Sequence, residues 1–373
     1  MKRALFAAGA FWLTAVLTLM LCGWIGAKTP ALRQGEALPD DVSTRLYTIP
    51  PALLERTDRG ARLVLAAGEG AQEPLSLTLC DGMACTLFLD GTEAAVYGED
   101  DPYSRVICIP LGTEAPAAKE RIELLSEGEG WKQLDWENLS NVPKMLLGGT
   151  AATQRALNLA FGATMLLIGA FFVLIVSSLT LFFQKRTERY LLLLAGASCV
   201  ILLTTLITSP VSLLPIRYGQ YLAIRPYIVS FPVLVNGAVC VNLMKDALPE
   251  RLRRFSRPVW LAGAALILAL VQIATGKNIY HWLTAAMLVP VRGAIGCGAA
   301  RKEPGVWLLA AGYGFWQGIA LRIYVVNGAQ MQLPGVIGVY FRLTQLGHLV
   351  YLLCCMALIN GRYARKFGES EQL

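Results

Sequence analysis

The chain has 373 residues, 55% of them hydrophobic and only 16% charged, with a mean hydropathy of +0.50. That balance excludes an ordinary soluble domain and points to an integral membrane protein. The formal charge of +7 is unevenly spread: residues 28–155 hold 20 of the 26 acids against 12 basic residues, which excludes nucleic acid as the partner of that segment.

The chain opens "MKRALFAAGAFWLTAVLTLMLCGWIGAK". Lys2 and Arg3 precede 24 uncharged residues, 4–27. A secretory signal has an apolar core of only about 7–15 residues. At ~1.5 Å per residue, 24 residues cross a bilayer as a helix. Residues 1–27 therefore read as a membrane anchor, with a cleaved signal as the alternative.

Residues 28–150 predict an extracytoplasmic all-β sandwich. "ARLVLAA", "LSLTLCD", "ACTLFLD", "AAVYG", "RVICIPL" and "RIELLS" are short strand signals separated by Gly, Asp, Glu and Pro. "LSLTLCDGMACTLFLDG" reads as a hairpin with "DGMA" at its tip. Cys80 and Cys85 flank that tip, so a disulfide across neighbouring strands is one expectation and two reduced cysteines the other. Further on, Glu99, Asp100 and Asp101 precede Tyr103. Clustered carboxylates beside a ring are able to bind calcium or sugar hydroxyls, and a solvated loop is the plainer alternative.

After Arg155 come 28 residues without charge, and then "QKRTER". Further apolar runs lie near 190–213, 220–244, 258–276, 279–300, 305–327 and 334–360. Each approaches the ~20 residues that a hydrocarbon core requires. Residues 151–361 are thus expected to form seven transmembrane helices, and 362–373 a short tail. Alternate connections carry Lys185, Arg186 and Arg189; Lys245, Arg251, Arg253, Arg254 and Arg257; Arg301 and Lys302; and Arg362, Arg365 and Lys366. The opposite connections hold essentially Arg217 and Lys277. By the positive-inside rule the basic side and the C-terminus are cytoplasmic, residues 28–155 lie outside, and the protein is a multi-pass plasma (inner) membrane protein.

Chemistry-bearing residues are sparse. Of the two histidines, His281 and His348, neither has metal-ligand spacing, and no nucleophile elbow or phosphate loop is visible. An enzyme is not expected, and no cofactor site is read. Within the apolar runs the ionisable groups are arginines, notably Arg225, Arg292, Arg322 and Arg342, with Arg217 just outside. Such groups are functional candidates, or else snorkel to an interface. Arg342, Gln345 and His348 recur at i, i+3 and i+6 and share a helix face. Arg225 and Asn236, about three turns apart, are expected to share another. Arg217, Arg225, Arg322 and Arg342 are expected at similar depth, where an anionic ligand or the acidic outer domain would neutralise them. "AAGYGFWQG" supplies Gly312, Gly314 and Gly318 for close helix packing.

The order of parts resembles the bacterial seven-transmembrane receptors with diverse intracellular signalling modules. The carriers are the "TLFLDGTEAAVYG" stretch, similar to carbohydrate-binding jelly rolls, and the "LFFQKRTERYLLLLAGA" junction. The resemblance implies an extracellular jelly-roll domain on seven helices, with a small molecule or saccharide as ligand. That family usually continues into a kinase, cyclase or phosphatase, whereas 13 residues follow Asn360 here. A receptor of this layout would signal through a separate cytoplasmic effector protein, with membrane lipid as its surroundings. An envelope or polysaccharide assembly factor, or a transporter accessory subunit, remains the alternative.

Overall fold

The structure is a computed structural model and describes residues 2–26, 30–33, 36–66, 74–80, 84–89, 91–111, 121–128, 144–209, 213–253, part of 263–274, 280–321 and 343–370. They form eight helices and two antiparallel sheets. Helix α1 is Lys2–Gly26. The strands are β1 (Leu46–Ile49), β2 (Leu54–Arg56), β3 (Gly60–Ala66), β4 (Leu75–Cys80), β5 (Cys85–Leu89), β6 (Thr92–Tyr97), β7 (Val106–Pro110), β8 (Arg121–Glu127) and β9 (Lys144–Gly149).

One sheet has the order β1-β9-β4-β7 and the other β2-β3-β8-β5-β6. Leu75, Leu77 and Leu79 of β4, Met145 and Leu147 of β9 and Ile109 of β7 share one buried cluster with Leu63 and Leu65 of β3, Leu87 of β5 and Leu124 of β8. The sheets are therefore stacked, as strands with one apolar face must be. Pro110, which has no amide proton, sits where it is tolerated, on the edge strand β7.

The hairpin expected over "LSLTLCDGMACTLFLDG" does not form. β4 pairs with β7 and β9, whereas β5 pairs with β6 and β8. β4 and β5, consecutive in the chain, thus belong to different sheets. The tight hairpin is β5–β6, turned at Gly91 with φ +78°. Both connections contain Asp-Gly, and burial separates them. Residues 75–79 of β4 are all buried, so β4 needs a neighbour on each side and a covered surface on each face.

The Cys80–Cys85 crosslink is likewise not formed. Cys85 carries a free, buried thiol, and Cys80 ends a strand of the other sheet, its side chain outside the described residues. Burial pushes the Cys85 thiol up, opposed by a hydrogen bond with Ser126. A thiol reagent at pH 8 should therefore label Cys108, exposed on β7, and spare Cys85 until denaturant is added. Peptide mass spectrometry checks this; early labelling of Cys85 would contradict the sandwich.

The remaining helices are α2 (Thr150–Gln184), α3 (Tyr190–Ile207), α4 (Tyr218–Leu243), a single turn Glu250–Arg253, α5 (Tyr280–Ala300), α6 (Val306–Leu321) and α7 (Leu343–Ser370). Thr150–Gln184, Tyr190–Ile207 and Leu343–Arg365 are long and apolar enough to cross a membrane. A fourth span results if Tyr218–Arg225 and Ser230–Leu243, bent by 40°, count as one. Pro226 and Pro232 lack amide donors, which accounts for a break there. These helices fit association with a membrane. Seven spans and their orientation are not shown, and the run expected at 258–276 lies largely outside the described residues.

Helix α1 belongs to the helical assembly. Its buried face is Ala7, Phe11, Ala15 and Thr18, spaced by about one turn each, and it lies on α6. A Cβ on Gly314 would collide with the Phe11 carbonyl, and one on Gly318 would sit 2.7 Å from the Ala15 carbonyl oxygen. Thr14 Oγ1 donates to Ala311 O at 3.2 Å, and Phe11 stacks on Tyr313 at 6.1 Å. Gly312 points another way, where a Cβ would meet Cys354 of α7 at 2.8 Å. One stretch of α6 thus seats two neighbours.

Candidate functional site

Among the described residues the sandwich and the helices are fastened at two places. At the first, strand β9 runs into α2 with no residue between them. Met145 and Leu147 face the sandwich core, while Leu146, with Leu46 and Val106, packs on Ala156 and Ala160 of α2. Thr150 N donates to Pro74 O at 2.9 Å, and Thr150 Oγ1 lies 2.9 Å from Ser76 Oγ. The start of α2 is thereby hydrogen-bonded to the sheet that it leaves.

The second fastening is the 98–104 loop. Gly98 N donates to Asp101 Oδ2 at 2.5 Å, and Tyr97 OH donates to Pro102 O at 3.2 Å while accepting from Ser104 N at 3.0 Å. The loop holds its own shape and presents its backbone to α4. Tyr218 N donates to Asp101 O at 2.9 Å, Gly219 N to Glu99 O at 3.0 Å, and Tyr103 N to Ile216 O at 2.7 Å. The first amides of a helix have no partner within it. Here two of them are satisfied by carbonyls of the sandwich. Arg217 adds a side-chain contact, Nη1 to Asp100 Oδ1 at 3.2 Å, with both groups well exposed. Beneath lies an aromatic cluster: Tyr103 is 1% exposed and stacks on Tyr221 at 3.6 Å and 12°, with Tyr97 and Tyr218 at the edge.

The structure therefore brings Glu99, Asp100, Asp101 and Tyr103 together with Arg217; of the two partners expected for the outer arginines, an anionic ligand or the acidic domain, the domain meets Arg217. Glu99 and Asp101 hold the helix through backbone oxygens. Among the described residues no three metal-ligating side chains converge, at this loop or elsewhere. Arg225 is exposed on α4 and Arg322 and Arg342 lie outside the described residues, so the four-arginine cluster is not seen. Arg292 sits over the rings of Phe11 and Trp12 of α1, at 4.7 and 4.8 Å.

Gln345 and His348 of α7 do share a buried face. His348 Nδ1 lies 2.5 Å from Asn236 Nδ2 of α4, and Gln345 Nε2 donates to Thr208 Oγ1 at 3.2 Å. Tyr351 extends the face and donates to Asn236 O at 3.0 Å. Trp316 of α6 packs over His348 at 4.9 Å, and Gln317 donates to Tyr313 OH at 3.1 Å. Asn236 is fully buried although Arg225 is exposed, against the expectation that they share a face. A bend of 40° lies between them. This polar face links α3, α4 and α7, with Trp316 of α6 packed over it.

Sequence reading missed Arg105. It stands just before β7, is 4% exposed, and lines a cavity of about 470 Å³ between α2, α3, α7 and the sandwich. A single arginine at a strand edge reads as solvated, and nothing in its neighbourhood signals burial.

Comparison with known proteins gives no match: no family model, no curated relative and no solved structure aligns significantly with the chain.

Proposed function

We propose that the chain is a membrane receptor whose outward sandwich binds a ligand, with saccharide the favoured class, and signals through a separate cytoplasmic protein. The double fastening of sandwich to helices carries this reading. A domain joined only by a flexible linker moves freely on ligand binding, whereas one joined through β9–α2 and the 98–104 loop passes its movement to α2 and α4. The strand orders β1-β9-β4-β7 and β3-β8-β5-β6 fit the two-sheet jelly roll that the resemblance implies. The loop-charge asymmetry supports an outward sandwich and inward basic connections, with Arg253, Arg301 and Arg365 exposed for a partner.

Among the described residues, the surface left for a ligand is the outer face of the five-stranded sheet. The 98–104 loop is occupied by α4, and the four-stranded sheet is covered by α2. On the open face Phe88 and Leu125 lie beside the Arg62–Glu123 pair at 2.6 Å, with Thr86 and Glu127 adjoining. A half-exposed ring flanked by oriented charges suits a sugar ring and its hydroxyls.

Hydrogen exchange of the full chain in lipid nanodiscs, against a panel of neutral and acidic oligosaccharides, tests both parts. The expected result is protection at 86–88 and 123–127, with a simultaneous change at 99–103 and 216–219, both abolished by Phe88→Ala. Protection of the sheet without any change at 216–219 would replace the receptor by a passive holding or assembly role. Silence across the panel would remove saccharide as the ligand class.

A further inference from the structure

The basic connections of the helices meet at one place, remote from the sandwich. Helices α2 and α4 both start at the sandwich, and α2, with 35 residues, is about 50 Å long. Their far ends converge on the end of α7. Lys185 lies over the ring of Tyr363 at 4.1 Å, and Tyr190 OH is 3.4 Å from Tyr363 OH. Arg362 donates through Nη1 to Leu243 O, at the end of α4, at 3.0 Å and through Nη2 to Glu303 Oε2 at 3.3 Å. Arg301 Nη1 donates to Asp246 O at 2.6 Å, and Asp246 pairs with Arg253 at 3.3 Å. The α2–α3 turn, the turns after α4 and the α5–α6 turn are thus tied to α7 or to each other.

Charge on this end is one-sided. Segments 185–189, 245–253, 301–303 and 362–365 hold ten basic residues and four acidic ones. Two of those acids, Asp246 and Glu303, already stand in the ion pairs with Arg253 and Arg362. Arg186, Arg189, Arg251 and Arg365 are exposed on the connections that Arg362 and Tyr363 join.

The place of α7 decides what fits there. It touches α2, α3, α4 and α6, so its end lies among the helix ends and not on their perimeter. Lipid head groups reach the perimeter of a bundle, whereas a protein segment reaches its middle. We infer that this end of the helices is the docking surface for the partner protein, and that the partner brings an acidic segment whose carboxylates meet these arginines and compete with Glu303 for Arg362. Guanidinium forks match carboxylates, and charge complementarity selects the partner. The inference deepens the receptor reading and rests on it for the existence of a partner. It also supplies a path. α7 runs unbroken from His348 in the buried polar face to Arg362, about 20 Å along the helix. A shift of α7 changes how firmly Glu303 and Leu243 hold Arg362, and with it the grip on the acidic segment.

The full chain in phosphatidylcholine nanodiscs, titrated with a fluorescent oligoglutamate peptide, tests the surface without any saccharide. We expect saturable binding that weakens with added salt and protects the amides of 185–189 and 301–303 from hydrogen exchange. Arg189→Gln combined with Arg251→Gln should weaken it on the order of tenfold. Arg56→Gln combined with Arg59→Gln removes the same charge from exposed positions on the sandwich and should leave binding unchanged. Glu303→Gln releases Arg362 and should strengthen binding severalfold. Absence of binding, equal losses in the two double variants, or no gain in Glu303→Gln would overturn the docking surface. Phosphatidylglycerol in the nanodiscs that protects the same amides as fully as the peptide would assign the surface to lipid and overturn it too. None of these results touches saccharide binding at the sheet, so the two readings fail separately.

Discussion

Gly314→Leu will expel α1 from its seat on α6. The new side chain would be driven into the Phe11 carbonyl and Thr14 Oγ1, and a helix backbone has no slack to yield there. Overpacking of a close helix contact costs about 1–3 kcal/mol when the helix stays. If the helix leaves, the Thr14–Ala311 hydrogen bond, the Phe11–Tyr313 stack and the Arg292 contacts with Phe11 and Trp12 are lost together. Gly296→Leu is the control, because nothing lies within 4 Å of a Cβ at Gly296 on α5. Bifunctional crosslinking between cysteines placed at Thr14 and Ala311 should succeed in the parent and in Gly296→Leu, and fail in Gly314→Leu. Persistent crosslinking in Gly314→Leu would mean that α1 has another seat.

Tyr103→Ala will open the second fastening. The ring is almost wholly buried and stacks face to face on Tyr221. Large-to-small changes of buried aromatics cost about 3–5 kcal/mol, and here the loss falls on one interface. The carbonyls of Glu99 and Asp101 would lift away from α4, so the amides of Tyr218 and Gly219 should exchange faster. Tyr103→Phe keeps the ring and should leave them protected. Asp100→Asn should also change little, because the Arg217 pair is exposed on both sides and screened by water. Hydrogen exchange read at those two amides decides. Equal protection in Tyr103→Ala would assign the fastening to β9–α2 alone.

These outcomes bear on what the sequence shows and what it hides. Strands with a single buried face are legible: β3, β5 and β8 carry the alternation that a half-buried strand imposes. β9 is not, because "KMLLGG" is buried on both faces from 145 to 149 and loses its period. Partnership is also hidden. The same Asp-Gly pair sits at the β5–β6 turn and just after β4, and local chemistry cannot say which strand comes back. In the candidate site, residue type misled. Three acids before a tyrosine suggested carboxylate chemistry, yet Glu99 and Asp101 reach α4 through carbonyls that any residue possesses. The Gln345–His348 face was legible because its i, i+3 spacing is set by the helix itself. Arg105 was not, since its burial depends on α2 and α7, segments far away in the chain.

The seamless passage from β9 into α2 makes residue number at that junction a measure of angle. Each residue of an α-helix turns the chain by about 100°. Adding one residue after Gly149 would swing the whole sandwich around the axis of α2 by that amount, and would carry the 98–104 loop away from the start of α4. Adding a full turn would restore the direction and lift the sandwich by about 5 Å, still out of reach of the amides of Tyr218 and Gly219. The two domains are therefore keyed like a shaft and its hub, and evolution can alter the loops around the key far more freely than the key itself.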